Sequence, residues 1–156
     1  MNRLSLIFFL LVGVGLSISS YLIYYHYVAK EGAEGWCNIN SQINCNKVIL
    51  SKYSEISGVP LGALGIIWFL IAGLFRYFET VASSRMRVSN VQFYLFIWSS
   101  IGMCAVMGLV YLEIFAVGAI CPFCTFCHIL ATGIFIISYV SLKKPLSDYL
   151  RDVFYQ

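Results

Sequence analysis

Charge is what this sequence has least of. Only 11% of its 156 residues are Asp, Glu, Lys or Arg, against 60% hydrophobic. No soluble domain of this length buries so much apolar surface, which excludes a water-soluble globule and leaves an integral membrane protein. The net charge of +3 is small and scattered, so a nucleic-acid partner is excluded as well. Proline is equally scarce, with three residues in all. Two of them, Pro60 and Pro122, fall where an apolar run opens, as expected at a helix start.

The few charges divide the chain into long uncharged runs. There are 26 residues between Arg3 and Lys30, 20 between Glu55 and Arg76, 25 between Arg87 and Glu113, and 29 between Glu113 and Lys143. Each is long enough to cross about 30 Å of hydrocarbon as an α-helix, which takes about 20 residues. The expected fold is therefore an all-α integral membrane protein, a bundle of four transmembrane helices at about 4–28, 58–77, 90–114 and 121–142. An outer loop over 29–57 joins the first two, and a polar tail over 143–156 forms a short surface helix. Residues 1–156 make one membrane domain. A cleaved signal peptide, with Arg3 as its basic start and Ser17–Ser20 as its small-residue end, is disfavoured. The apolar run continues through Tyr21, Tyr24, Tyr25 and Tyr27, which read as an interfacial belt on a retained helix.

Basic residues orient the spans. Arg3, Arg76, Arg85, Arg87, Lys143, Lys144 and Arg151 lie on one side, and Lys30, Lys47 and Lys52 on the other. The excess predicts cytoplasmic termini in a cell inner or plasma membrane. Five of the six cysteines then lie on or near the outer, disulfide-permissive side. The exception is Cys104 in helix 3, read as a small packed hydrophobe. Gly62 and Gly65 offer helix 2 a close-packing face, and Gly102 and Gly108 read as packing residues of helix 3. Glu113 reads as a solvated boundary charge, with proton handling as the alternative.

The chemistry concentrates in Cys121-Pro122-Phe123-Cys124-Thr125-Phe126-Cys127-His128. Cysteines three apart at a helix start share a face, and a thiolate there is stabilised by the helix dipole. The spacing reads as a reactive dithiol. In the outer loop Cys37 and Cys45 flank a polar insert; they either close a small ring or pair elsewhere. His128, four residues past Cys124 and seven past Cys121, falls on the same face. It either meets a bound ligand's oxygen or proton, or is a satisfied core histidine. Trp68, Phe69, Tyr94 and Tyr111 are candidate pocket walls.

Taken together, Cys37, seven residues, Cys45-x-x-Val48-x-x-Ser51-x-Tyr53, Gly58-x-Pro60 and the late Cys121-x-x-Cys124 resemble the vitamin K epoxide reductase family, in its bacterial and archaeal form. The resemblance spans nearly the whole chain. It implies a four-helix bundle around a quinone, ubiquinone or menaquinone, and an electron relay through two dithiols. Cys37 resembles the cysteine that meets a periplasmic thioredoxin-like (DsbA-type) electron donor, and Cys45 the relay cysteine that exchanges with Cys121. Cys124 resembles the quinone-facing cysteine and Ser51 the loop serine near the ring. The animal enzymes hold vitamin K with an asparagine early in helix 2. Gly58–Phe75 has no Asn or Gln here, which favours an ordinary respiratory quinone. Only 14 residues follow Leu142, so the expected partner is a separate chain.

Two rival readings use the same residues. Cys124-Thr125-Phe126-Cys127-His128 matches the C-x-x-C-H haem attachment pattern, with His26 as a second axial ligand. Attachment would then proceed into a packed or lipid-facing helix, which argues against it. Cys121, Cys124, Cys127 and His128 also offer four zinc ligands, but on one helix Cys121 and Cys127 point about 120° apart. A metal would need Cys37 or Cys45 to close its shell, and no metal is expected.

Overall fold

The structure, a computed structural model, describes residues 3–33, 35–81 and 88–142. Among these, four helices are long and apolar enough to cross a membrane. α1 covers Arg3–Lys30; a short α2 (Cys45–Ile49) follows in the outer loop, and then β1 (Glu55–Ile56) and β2 (Val59–Pro60). α3 covers Leu61–Val81 and α4 Val88–Tyr111, which continues as a π-helical stretch over Leu112–Val117. α5 covers Pro122–Val140. The four long helices close a ring in which α1 touches α3 and α5, and α4 touches α3 and α5. The tail expected over 143–156, with Lys143, Lys144 and Arg151, lies outside the described residues, as do Arg85 and Arg87.

Lipid removes the hydrophobic drive between helices, so close packing has to supply the association. Phe8, Val12, Phe69, Ala72, Leu95 and Ile134 form the mid-bundle core. Small residues let the backbones approach. A Cβ on Gly62 would stand 2.9 Å from the Ser19 carbonyl oxygen, and one on Gly65 2.9 Å from Ser19 Oγ. Gly102 lies under the Trp68 ring, whereas Gly108 has nothing within 4 Å of a would-be Cβ and is no packing residue. Cys104 also departs from expectation: it is exposed on the outer surface of the bundle.

At the bundle end away from the outer loop, Arg76 is 4% exposed rather than a loop charge. Its guanidinium donates to Glu79 (2.7 Å), Ser141 Oγ (3.2 Å) and Ser5 Oγ (3.1 Å), joining α3, α5 and α1. Gln92 of α4 donates to the same Glu79 at 2.9 Å. A buried cation is tolerable only when paired and hydrogen-bonded, as both terminal nitrogens of Arg76 are, although its Nε has no partner.

The outer loop folds into a cap. Asn44 caps α2, accepting from Lys47 N at 2.8 Å. The second span, α3, begins at Leu61, not at Gly58. Pro60 pairs with Glu55 across a two-residue hairpin, and Ser57 (φ 52°) and Gly58 (φ 81°) both adopt the positive φ that such a turn needs. The hairpin sits against the top of α1. There His26 Nε2 lies 3.0 Å from Glu55, Nδ1 lies 3.2 Å from the Ile49 carbonyl, and Lys30 pairs with the same carboxylate. The Lys30 hydrogen bond holds the Glu55 carboxyl below the usual range.

Candidate functional site

The cap places the loop cysteines on the helix-borne pair. A parallel bridge joins Ile43 to Ile120: Asn44 N donates to Ile120 O at 3.2 Å, and Ile120 N to Gln42 O at 2.7 Å. Lys47 Nζ reaches the Gly118 carbonyl at 3.2 Å. This fastens the start of α2, which is Cys45, against the residue before Cys121. Tyr25, buried on α1 rather than in the interfacial belt, hydrogen-bonds Asn46 and fills the space beside Gly35, where a Cβ would strike its ring.

Cys37 and Cys45 form a disulfide with Cα atoms 5.7 Å apart, while Cys121 and Cys124 are thiols. Cys121 Sγ lies 3.6 Å from Cys45 Sγ. These three cysteines are at most 1% exposed and share one cluster with Tyr25, Ala29, Val48, Ile49 and Ala119. Cys37, expected at the water-facing surface, is therefore covered, while its neighbours Trp36 (76%) and Ile39 (68%) are exposed. Trp36 meets Phe123 edge-on, ring centres 5.3 Å apart.

Cys121 is the N-cap residue of α5 and Pro122 opens the helix. A hydrogen bond from Cys124 holds the Cys121 thiol below its ordinary value, helped by the backbone N–H groups of Cys124 and Phe123 and opposed by burial. A thiol so lowered leaves readily from a mixed disulfide.

Glu113 was missed as a site residue. It is 7% exposed, not a solvated boundary charge. Its carboxylate faces the start of α5, with Cys121 and Cys124 as its neighbours there. The π-helical stretch after α4 carries it, and such wide turns recur at functional sites. Beside it runs a groove of about 580 Å³ between α4 and α5. Val106, Val110, Ile114, Ile129 and Ile136 line it, with Glu113, Thr125 and His128 as its polar members.

The remaining candidates scatter. His128 is on the groove; Ser51 and Trp68 are not among its lining residues. Ser51 lies in the turn after α2, where its carbonyl accepts from Ser54. Trp68 packs in the mid-bundle core, its carbonyl accepting from Trp98. Tyr111 (60% exposed) and Tyr94 (54%) face outward and are not among the groove's lining residues, Tyr111 pairing with Phe115. Both ring nitrogens of His26 face cap groups, which removes it as a haem ligand. Among the described residues no group of three or more His, Cys, Asp or Glu could hold a metal ion.

The sequence profile described as "Vitamin K epoxide reductase family" matches residues 6–139 of the chain. No individual curated protein matches the chain significantly.

Proposed function

This chain belongs to the vitamin K epoxide reductase family, which implies a multi-pass membrane oxidoreductase acting on thiols and quinones; from that premise we propose that it oxidises a separate thioredoxin-like (DsbA-type) protein and passes the electrons to a lipid quinone. The observation that carries the reading is the 3.6 Å approach of Cys121 to the Cys45 sulfur of the loop disulfide. Atoms at that separation are placed for exchange.

The relay runs by thiol–disulfide exchange. A thiolate of the partner attacks Cys37, Cys45 leaves, and the partner's second thiol resolves the mixed disulfide. Because Cys37 is covered, the segment around Trp36 and Ile39 has to swing outward for that attack. The freed Cys45 attacks Cys121 of an oxidised Cys121–Cys124 pair, and Cys124 leaves. Cys37 then closes on Cys45 and Cys121 leaves as a thiolate, a departure its lowered pKa favours. A joined loop pair beside a reduced helix pair, as found here, is the arrangement at the end of this sequence.

A quinone supplies the two-electron, two-proton acceptor that returns Cys121 and Cys124 to the disulfide. The groove suits such a group: it is apolar, of ligand size, and carries a few polar groups at one flank. His128 and Thr125 would hold ring oxygens there, with Glu113 lining the same groove. Orientation with the cap outside follows from the basic residues, and puts the cysteines where disulfides persist.

The test is purified protein given ubiquinone or menaquinone and a reduced thioredoxin-like protein. One quinone is consumed per disulfide formed, and Cys124→Ala abolishes quinone reduction. Full quinone reduction by that variant overturns the assignment.

A further inference from the structure

Resting on the proposed relay, we infer that Glu113 is a further catalytic residue, the carboxylate that takes the proton of the Cys124 thiol and delivers it to the α4–α5 groove. Three observations meet at this side chain. It is buried at the edge of a membrane span, where an ionisable group is costly and seldom kept without a task. It neighbours both halves of the dithiol motif, Cys121 and Cys124. It also lines the groove, which Cys124 does not. Glu113 thus stands between the sulfur and the space a quinone suits.

A purely structural carboxylate would be expected to neutralise a cation. Among the described residues Glu113 makes no ion pair. The nearby cation, Lys47, is engaged by the Gly118 carbonyl instead. The π-helical stretch supplies the direction. Ile114 (50% exposed) and Phe115 (72%) on it face outward, while Glu113 turns in toward α5.

The step is a proton transfer. The Cys124 S–H bond breaks, an O–H bond forms on Glu113, and the electron pair stays on sulfur. When the Cys121–Cys124 bond forms, two electrons and two protons, one from each thiol, leave the dithiol for a lipid quinone. Glu113 gives up the proton it carried and is a carboxylate again. The titratable groups facing it are Cys121 and Cys124 at the start of α5, with His128 sharing its groove; around these, Cys127 neighbours Cys124, Tyr25 of α1 neighbours Cys121, and Lys47 of α2 is held at the Gly118 carbonyl.

Glu113→Gln preserves the shape and an oxygen for the Cys121 N–H but accepts no proton. In quinone-free detergent solution, Cys124 is alkylated with N-ethylmaleimide across pH and the adduct assigned by peptide mass spectrometry. The expected result is at least tenfold slower modification at neutral pH in Glu113→Gln, with the rate recovering only at alkaline pH, and partial rescue in Glu113→Asp. Single-turnover quinone reduction falls by about 10²–10⁴, the usual range for a lost general base. If Glu113 merely caps α5, the Gln variant keeps the wild-type pH profile, and the assignment is overturned. Should Glu113→Gln not fold, the wild-type infrared difference spectrum on dithiol oxidation decides. A change in carboxyl protonation supports the inference and its absence overturns it. If wild-type protein shows the expected alkylation behaviour yet passes no electrons to quinone, the relay reading fails while Glu113 stands as the base of Cys124.

Discussion

Removing Cys37 should trap the internal exchange. In Cys37→Ala, Cys45 loses its disulfide partner while its sulfur stays 3.6 Å from Cys121. A disulfide needs about 2.05 Å, so the two sulfurs have to close by about 1.5 Å. That is within reach of a side-chain rotation, since the Ile43–Ile120 bridge already fixes the backbones on either side. Groups held in contact have effective molarities far above the millimolar values of a flexible tether, reaching about 10⁵ M or more for ideal alignment. With about 1 mM glutathione disulfide as the oxidant, one of the two thiols first takes a glutathionyl group and releases one glutathione; allowing only about 1 M for imperfect alignment, its neighbour then displaces the second glutathione in preference to outside thiol by about 10³, or about 4 kcal/mol.

The expected product is therefore a Cys45–Cys121 cross-link in roughly nine-tenths or more of the molecules. The assay is acid quenching, alkylation of free thiols, and mass spectrometry of unreduced peptides, which reports the linked pair directly. Finding Cys45 glutathionylated beside a free Cys121 would refute the reasoning, because the 3.6 Å contact would then not represent a reactive approach.

Three further outcomes follow from the same contacts. Cys124→Ala in the Cys37→Ala background should move cross-link formation to higher pH, because the hydrogen bond that lowers the Cys121 thiol is gone; an unchanged pH profile would show that Cys124 does not set Cys121 reactivity. Glu55 is held below the usual carboxylate range by Lys30, so its contribution to the cap is complete above the ordinary carboxylate pKa and is lost as pH falls through the lowered value. Amide exchange over residues 52–60 should accelerate in that acid window, and should show no such step in Glu55→Gln. Arg76→Met should destabilise the bundle by about 3–5 kcal/mol, the usual penalty for stranding one member of a buried ion pair. Thermal unfolding in detergent measures it, and Arg76→Met with Glu79→Leu should recover most of the loss.

The spans were legible because lipid disfavours charge, and each of the four runs bounded by Arg3, Lys30, Glu55, Arg76, Arg87, Glu113 and Lys143 marks one long helix, α3 alone running well past its bounding charge, Arg76, to Val81. The start of the second span, α3, was not. Gly58-x-Pro60 serves equally as a helix opening or as a hairpin turn with its return strand, and what decides is the positive φ at Ser57 and Gly58, which no pattern of residue types announces. The bringing together of Cys45 and Cys121, 76 residues apart, was legible through family resemblance; spacing alone left the loop pair open. The outward face of Tyr111 was not legible for a plain reason: with 17% aromatics, a ring on a span says nothing about which side of the helix faces lipid.

Glu113 shows where periodicity runs out. Read as regular α-helix, its face follows from the residues before it, and a lone charge at a span's end is most simply placed in water. Over Leu112–Val117 the helix widens, the register shifts, and the carboxylate meets Cys121 and Cys124 instead of solvent. The same departure leaves Gly118 at φ 63°, accepting from Lys47, and Ala119 donating to the Glu113 carbonyl at 3.1 Å. The irregular turn thus delivers the backbone to the cap on one side and an acid to the dithiol on the other. Restoring a regular helix there by deleting one residue of 114–117 should uncouple both at once, turning Glu113 outward and freeing Cys45 from Cys121. In the Cys37→Ala background the cross-link would then fall to the level set by glutathione competition. Its persistence would show that the cap finds Cys121 without help from the wide turn.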